Sequence, residues 1–181
     1  MTSIIRDFAG LALIVVLILG LDQASKFLVV TNLEPSESWA PIPALSRILK
    51  VTYIFNSGAA FGLFQNSSNI FIVIAFLVAI GIVVYYGVGI FVYHSFLVPG
   101  FWIIRLSLGL QLGGALGNMI DRLRFQEGVV DFVDIGFWPI FNVADVSIVA
   151  GVVLLAYTLW TEEPEDASPP ENISSTMAEA D

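Results

Sequence analysis

Residues 70–93 read IFIVIAFLVAIGIVVYYGVGIFVY, an apolar run without a charged side chain. A helix needs about 20 such residues to cross the roughly 30 Å of hydrocarbon in a bilayer. The run therefore predicts a transmembrane helix. The composition agrees, because the chain is 57% hydrophobic and 13% charged and has a mean hydropathy of +0.86.

Three further spans are predicted outward from this run, at about Phe8–Val30, Phe101–Ile120 and Phe141–Trp160. Asp22 and Lys26 interrupt the first of them. Four spans place both termini on the same side of the membrane. We therefore predict an all-α membrane protein with four transmembrane helices.

The other side receives a long segment, Thr31–Asn69, and a medium loop, Asp121–Ile140. Within the long segment, Val51–Phe55 alternates like a strand, and Gly58 and Gly62 permit tight turns after it. We expect a small extramembrane sheet and loop element here, which could cover a groove between the helices.

The last residues form a second region. Residues 162–181 hold seven acids, no base and several prolines and serines, which predicts a disordered acidic tail. The membrane domain is then residues 1–161. Within it, Gly109, Gly113 and Gly117 recur every four residues and predict a smooth helix stripe for close helix packing.

Several chemistries are excluded by what is missing. The chain has no cysteine and one histidine, His94, so thiol catalysis and cysteine or multi-histidine metal sites are excluded, and no metal or cofactor is expected. The zinc-protease motif His-Glu-x-x-His and the presenilin-type motif Gly-x-Gly-Asp are absent. A rhomboid-type Ser–His catalytic pair is excluded because His94 is predicted on the side of the membrane opposite the acids.

Two polar pairs mark one membrane boundary. Asn118 and Asp121 share a face at the end of the third span, and Asn142 and Asp145 repeat that spacing at the start of the fourth. Asp131, in the loop between them, can reach the same place. Two close carboxyls cannot both ionise easily, so one carries a proton beside one base. Such a pair can activate water on an amide.

Each polar residue also has a structural interpretation. Asn142 can cap a helix, and Asp134 looks like a solvated loop acid. Two ion pairs are predicted: Asp121 with Arg122, and Asp22 with Lys26 one helical turn away.

Four blocks of sequence occur in this order along the chain: Leu21-Asp-Gln-Ala-Ser-Lys26; Phe55-Asn-Ser-Gly-Ala-Ala-Phe-Gly62; Gly113-Gly-Ala-Leu-Gly-Asn-Met-Ile-Asp-Arg122 with Val129-Val-Asp-Phe132; and Phe141-Asn-Val-Ala-Asp145. In these blocks and in their order the chain resembles lipoprotein signal peptidase, the type II signal peptidase of bacteria. The blocks span residues 21–145, and the acidic tail lies outside them.

The resemblance implies an aspartyl protease of the bacterial cytoplasmic (inner) membrane that removes signal peptides from prolipoproteins. It implies cleavage just before a lipobox cysteine carrying a diacylglyceryl group, with Asp131 and Asp145 as the catalytic acids. The implied partners are these prolipoproteins, membrane lipid and peptide-like inhibitors of the globomycin type, with no nucleic acid. The positions that match supporting or site-lining residues are Asp22, Lys26, Asn56, Gly58, Asn118, Asp121, Arg122, Asn142 and Ala144.

The resemblance also implies cytoplasmic termini and an active site toward the outer face. The basic residues conflict with that orientation, because most of them lie toward the two larger loops, and the positive-inside rule would place those loops in the cytoplasm. They are Lys26, Arg47, Lys50, Arg122 and Arg124.

Two other functions remain open from the residues. One is a small proton- or cation-coupled carrier that uses Asp22, Asp121 and Asp145. Carriers place acids near mid-membrane and show inverted repeats, whereas the acids here cluster at one boundary. The other is a structural scaffold, in which the same acids affect stability alone.

Overall fold

The computed structural model describes residues 2–58, 68–93 and 101–161. These contain four long helices, α1 (Thr2–Asn32), α2 (Ser68–Tyr93), α3 (Phe101–Arg124) and α4 (Val143–Thr161), each long and apolar enough to cross a membrane. The predicted fold class is confirmed. The predictions for Gly62, His94 and residues 162–181 fall outside the described residues.

The third span was expected to run to about Ile120, and α3 continues to Arg124. Asp121 therefore lies on the helix with Asn118, as their predicted shared face requires, and Arg122 follows it in the last turn. The loop that was expected to begin at Asp121 begins after Arg124.

Helix α3 is the centre of the bundle and packs against α1, α2 and α4. Half of its most apolar stretch is buried, whereas α1 and α2 expose most of theirs. It also carries polar and small residues along its length, including Ser107 and Asn118. This is the expected arrangement, because lipid-facing surfaces must be apolar, whereas helix interfaces use small and hydrogen-bonding residues.

The predicted glycine stripe is confirmed as a packing surface. A Cβ atom added to Gly109 would lie 2.7 Å from Ile14, and one added to Gly113 would lie 2.8 Å from Ile18. A Cβ at Gly117 would lie 2.5 Å from the Asp22 carboxylate. The stripe therefore lets α1 pack closely against α3, and at Gly117 it leaves room for the Asp22 carboxylate.

The extramembrane element is a three-stranded antiparallel sheet in the order β1 (Ser38–Trp39), β2 (Lys50–Asn56), β3 (Val129–Asp134). The prediction of a strand at Val51–Phe55 is confirmed. The third strand was not predicted, since residues 121–140 were expected to form a loop. Phe141 extends the sheet by an isolated bridge to Val133, which leads the chain directly into α4.

The sheet stands on the end of α1. At about 1.5 Å per residue, this 31-residue helix is about 46 Å long, well beyond the thickness of the hydrocarbon. Its last turns supply Val29, which packs with Tyr53, Val130 and Phe132 in one buried cluster. The sheet is thereby fixed above the helix ends.

A polar cluster lies at the end of the bundle opposite the sheet. Asp7 is buried and pairs with Arg105, whose Nε donates to the Tyr86 hydroxyl at 3.1 Å. That hydroxyl donates to the Asp7 carbonyl at 2.9 Å. The cluster joins α1, α2 and α3, and no role was predicted for its residues from the sequence.

We expect Gly113→Ala to destabilise the protein by about 1–3 kcal/mol, because overpacking forces α1 and α3 apart. The backbone oxygen of Val15 lies only 3.2 Å from the new methyl group, so side-chain rotation cannot relieve the clash. The measurement is thermal unfolding in detergent. Gly81→Ala in α2 is the matched control, because a Cβ there meets nothing within 4 Å. Equal unfolding temperatures for the two variants would contradict the packing role.

Candidate active site

Asp131 lies on β3, paired with Ile54 of β2, and not in a loop as expected. Its side chain is buried and accepts two amide hydrogen bonds. Asn142 Nδ2 donates to Oδ1 at 2.6 Å, and Asn56 Nδ2 donates to Oδ2 at 2.9 Å. The strand thus fixes this carboxyl between two asparagines.

Asp145 lies in the first turn of α4 and forms a reciprocal cap with Asn142. The Asp145 N–H donates to Asn142 Oδ1 at 2.9 Å, and the Asn142 N–H donates to Asp145 Oδ2 at 3.2 Å. This is the geometry of a capping box, in which each side chain satisfies a backbone N–H at the helix start. The predicted cap role of Asn142 is confirmed, and it is the same contact that orients Asp145.

The two acids line one cleft of about 250 Å³ at the end of the bundle. Asn142 contacts both of them, through its side-chain amide to Asp131 and through its backbone to Asp145. The expected convergence of Asp131 and Asp145 is therefore found. The cleft is lined by Asn56, Gly58, Phe71, Asn118, Arg122, Val129, Asp131, Trp138, Pro139, Ile140, Phe141 and Asp145.

Behind the cleft, Lys26 is buried and contacts three oxygen atoms. Its Nζ lies 2.9 Å from Asp22 Oδ2, 2.8 Å from Asp121 Oδ2 and 3.0 Å from Asn118 Oδ1. The predicted Asp22–Lys26 pair is confirmed. Gln23, which sequence reasoning missed although it adjoins Asp22, donates to both carboxylates.

Each carboxylate of this ion cluster also holds the backbone next to one acid of the cleft. Asp22 Oδ1 accepts the N–H of Ala144 at 3.0 Å, one residue before Asp145. Asp121 Oδ2 accepts the N–H of Val130 at 3.1 Å, one residue before Asp131. Ala144 is fully buried beneath Gly114 and Gly117, which explains why a small residue stands there.

The predicted ion pair between Asp121 and Arg122 is wrong. Asp121 faces α1 and pairs with Lys26, whereas Arg122, the next residue on the helix, faces the cleft. There the Arg122 guanidinium lies 5.1 Å from the ring centre of Phe71 in α2, and Nη1 donates to the Asn118 carbonyl. No signal in the sequence pointed to Phe71.

Asp134 is not the solvated loop acid that was expected. It ends β3, is 8% exposed, and accepts hydrogen bonds from Thr52 at 2.9 Å and from the Gly136 N–H at 2.9 Å. Lys50 lies 3.2 Å away. Although burial raises the pKa of Asp134, these bonds and the lysine outweigh burial and lower it below the ordinary value. Asp134 thus stabilises the sheet away from the cleft.

Asn56 reaches Asp131 because the following turn fixes its amide. The Gly58 N–H donates to Asn56 Oδ1 at 3.1 Å, which leaves Nδ2 to face the carboxyl. Gly128 precedes β3 with φ of +119°, and a Cβ there would collide with the Asn56 carbonyl. The sequence offered one signal for this role of Gly128, which is a glycine in the turn just before Val129.

The electrostatics of the cleft distinguish Asp131. Burial and the nearby Asp145 carboxylate raise the pKa of Asp131 to about 7, against the lowering effects of Asn56, Asn142 and Lys26. The carboxyl is therefore half-protonated near neutral pH. Within residues 2–58, 68–93 and 101–161, no group of three or more acids or histidines is arranged to hold a metal ion.

The chain is similar to proteins of one family over most of its length. The model of the family described as signal peptidase (SPase) II matches residues 14–161. The lipoprotein signal peptidase of Moorella thermoacetica is 44% identical over 158 residues, covering 87% of this chain and 97% of that protein. The protein of the same name from Halothermothrix orenii is 40% identical over 151 residues, covering 83% and 95%.

Two solved structures, each described as a bacterial membrane enzyme, share the fold. One has a TM-score of 0.70 at 28% identity and covers 89% of this chain and 93% of its own. The other has a TM-score of 0.67 at 30% identity and covers 84% and 94%.

Proposed function

This chain belongs to the signal peptidase II family, and on that premise we propose that Asp131 and Asp145 are the acids with which it removes signal peptides from prolipoproteins. It is an aspartic endopeptidase. The observation that carries the residue assignment is the position of Asn142, which contacts both acids at the cleft. The other carboxylates nearby, Asp22 and Asp121, are occupied by Lys26.

We propose that Asp131 carries the proton and Asp145 acts as the base. Asp145 lies at the N-terminus of α4, where the helix dipole favours a negative charge, whereas Asp131 lies on a strand. Asp145 would take a proton from water as the water attacks the peptide carbonyl. Asp131 would give its proton to the carbonyl oxygen, and the leaving amine would then be protonated within the pair.

The cleft supports a substrate that enters from the membrane. Its polar floor of acids and asparagines is bordered by Phe71, Trp138 and Ile140. We propose that the cut falls just before a cysteine carrying a diacylglyceryl group, so that the peptide bond reaches the acids while the acyl chains stay in lipid. Peptide-like inhibitors of the globomycin type would compete for the same cleft.

Arg122 and Asn56 would hold the peptide backbone. Arg122 lines the cleft, and its Nε has no hydrogen-bond partner among the described residues. A buried donor without a partner is costly, so a substrate carbonyl at this place would satisfy it. The described part of the segment expected to cover the groove forms β1 and β2, and it places Asn56 and Gly58 in the cleft wall.

We propose that the termini are cytoplasmic and that the cleft faces outward. The charge count opposed this orientation, but four of the five basic residues have local partners, and one of them, Arg124, lies 5.1 Å from the ring centre of Phe125. Lys26 is buried with Asp22 and Asp121, Lys50 pairs with Asp134, and Arg122 lines the cleft. Contacts within the protein account for these residues, so their charges say little about which side of the membrane the loops occupy.

The carrier alternative is not supported. Asp22 and Asp121 are both paired with Lys26, and each also holds a backbone N–H. An acid that carries a proton or cation across the membrane must exchange its partner, and these acids have structural partners instead.

We expect Asp131→Asn and Asp145→Asn each to lower the rate of signal-peptide removal by about 10²–10⁴-fold, the usual contribution of an acid or base. The measurement is the gel shift of a purified diacylglyceryl prolipoprotein, with size-exclusion chromatography to confirm folded protein. Asp134→Asn, on the same strand as Asp131, is the control and should lower stability while retaining the cleavage rate. Near wild-type cleavage by either of the first two variants would overturn the assignment.

The cleavage rate should fall as the pH rises through about 7. The pKa of Asp131 is raised to about 7, so its protonated, active form is present below that pH and is lost above it. Because the two acids share a proton, the measured value belongs to the pair. The check is kcat/KM between pH 5 and 9 with a fixed lipid mixture. A rate that stays constant or increases from pH 6 to 9 contradicts this role.

The orientation can be tested by cysteine labelling, since the chain contains no cysteine. In spheroplasts, a membrane-impermeant maleimide should label Glu127→Cys, an exposed site in the turn before β3. Thr161→Cys, exposed at the end of α4, should react only after permeabilisation. The reverse labelling pattern would place the cleft in the cytoplasm.

A further inference from the structure

Asn118 occupies a buried position between the ion cluster and the cleft. Its Oδ1 accepts from Lys26 Nζ at 3.0 Å and from Asn142 Nδ2 at 3.1 Å, and its Nδ2 donates to Asp145 Oδ1 at 2.7 Å. The amide is thus the only side chain seen to connect Lys26 directly with Asp145 in the described part of the chain.

We propose that Asn118 is a positioning residue for Asp145 and that Lys26 sets the orientation of its amide. This inference rests on the proposed function, in which Asp145 is the base. It gives Lys26 a role in the reaction beyond pairing with Asp22 and Asp121.

The orientation follows from the chemistry of the lysine. An ammonium group has three N–H donors and no acceptor, so the amide atom that faces it must be the oxygen. The three donors of Lys26 have three acceptors, on Asp22, Asp121 and Asn118. Turning the amide over would place its NH₂ against the ammonium and its carbonyl oxygen against the Asp145 carboxylate.

The consequence for Asp145 is a fixed donor on each oxygen. Asn118 Nδ2 holds Oδ1, and the Asn142 backbone N–H holds Oδ2. Both oxygens are therefore directed, and the carboxylate keeps one orientation toward the cleft. The charged groups that face Asn118 and Asp145 come from α1, α3 and β3, whereas α2 carries no charged residue in its sequence. They are Asp22, Lys26, Asp121, Arg122 and Asp131.

The test is Asn118→Asp, which keeps the shape and the oxygen that accepts from Lys26 but replaces the donor with a second oxygen. When ionised, the new carboxyl repels Asp145. When protonated, its O–H donates as the amide did. We expect kcat/KM to be about 10–100-fold below wild type at pH 8, the scale of a lost hydrogen bond to a charge. The ratio to wild type should recover at least about tenfold toward pH 5.

Asn118→Leu is the matched control, because it has similar bulk and no donor at any pH. Its kcat/KM should stay low relative to wild type from pH 5 to 8. The ratio to wild type cancels the effect of pH on Asp131. A purely structural role would lower both variants by a factor that does not depend on pH, and that result would overturn the proposal.

A second measurement tests Lys26. If Lys26 acts through Asn118, Lys26→Met should reduce kcat at least about tenfold more in the wild-type background than in Asn118→Leu. Equal reductions would contradict the link. Should Lys26→Met not fold, the pH dependence of Asn118→Asp still decides. An active Asp145→Asn variant would refute the proposed function, whereas an inactive one together with a pH-independent Asn118→Asp ratio would refute this inference alone.

Discussion

The site depends on one buried ion cluster, that of Lys26 with Asp22 and Asp121. A single charge in the hydrocarbon costs about 2.5–3.5 kcal/mol on insertion scales, so three charges persist only because they pair and hydrogen-bond with one another. Each carboxylate of the cluster also holds the backbone of a neighbouring element. Asp22 holds the backbone of α4 beside Asp145, and Asp121 holds that of β3 beside Asp131. Strand β3 and helix α4 thereby receive a common reference point on α1, a helix far from both in sequence.

The same cluster shows how packing and chemistry share residues. Gly117 is part of the stripe that lets α1 approach α3, and the group it admits is the Asp22 carboxylate. Asn142 caps α4 and also donates to Asp131. Such residues satisfy a structural requirement with the atoms that orient the cleft. In a membrane such double use of one residue is favoured, because every additional polar group must find a partner within the protein.

Features set by residues close in sequence could be predicted, and features set by helix packing and strand pairing could not. The four spans depend on contiguous apolar runs, and the Asp22–Lys26 pair and the Asn142 cap depend on residues within about one helical turn. The partner of Asp121 depends on how α1 packs against α3, which spacing alone does not reveal. Strand β3 exists because β2 pairs with it across more than 70 residues, and this pairing buries Asp134 and positions Asp131. Family resemblance supplied Asp131 as a catalytic acid where local chemistry left it among several acids.

Helix α2 differs from the others in how it is attached. It packs chiefly on α3, it joins the Asp7–Arg105 cluster at the far end, and no extensive contact connects it to α4 within the described residues. The cleft lies near this gap, with Phe71 on one side and Asp145 on the other. A lipid-anchored chain would thus meet the acids by lateral diffusion within one leaflet. Its encounter rate would follow its density in the plane of the bilayer, and bulk concentration would matter little.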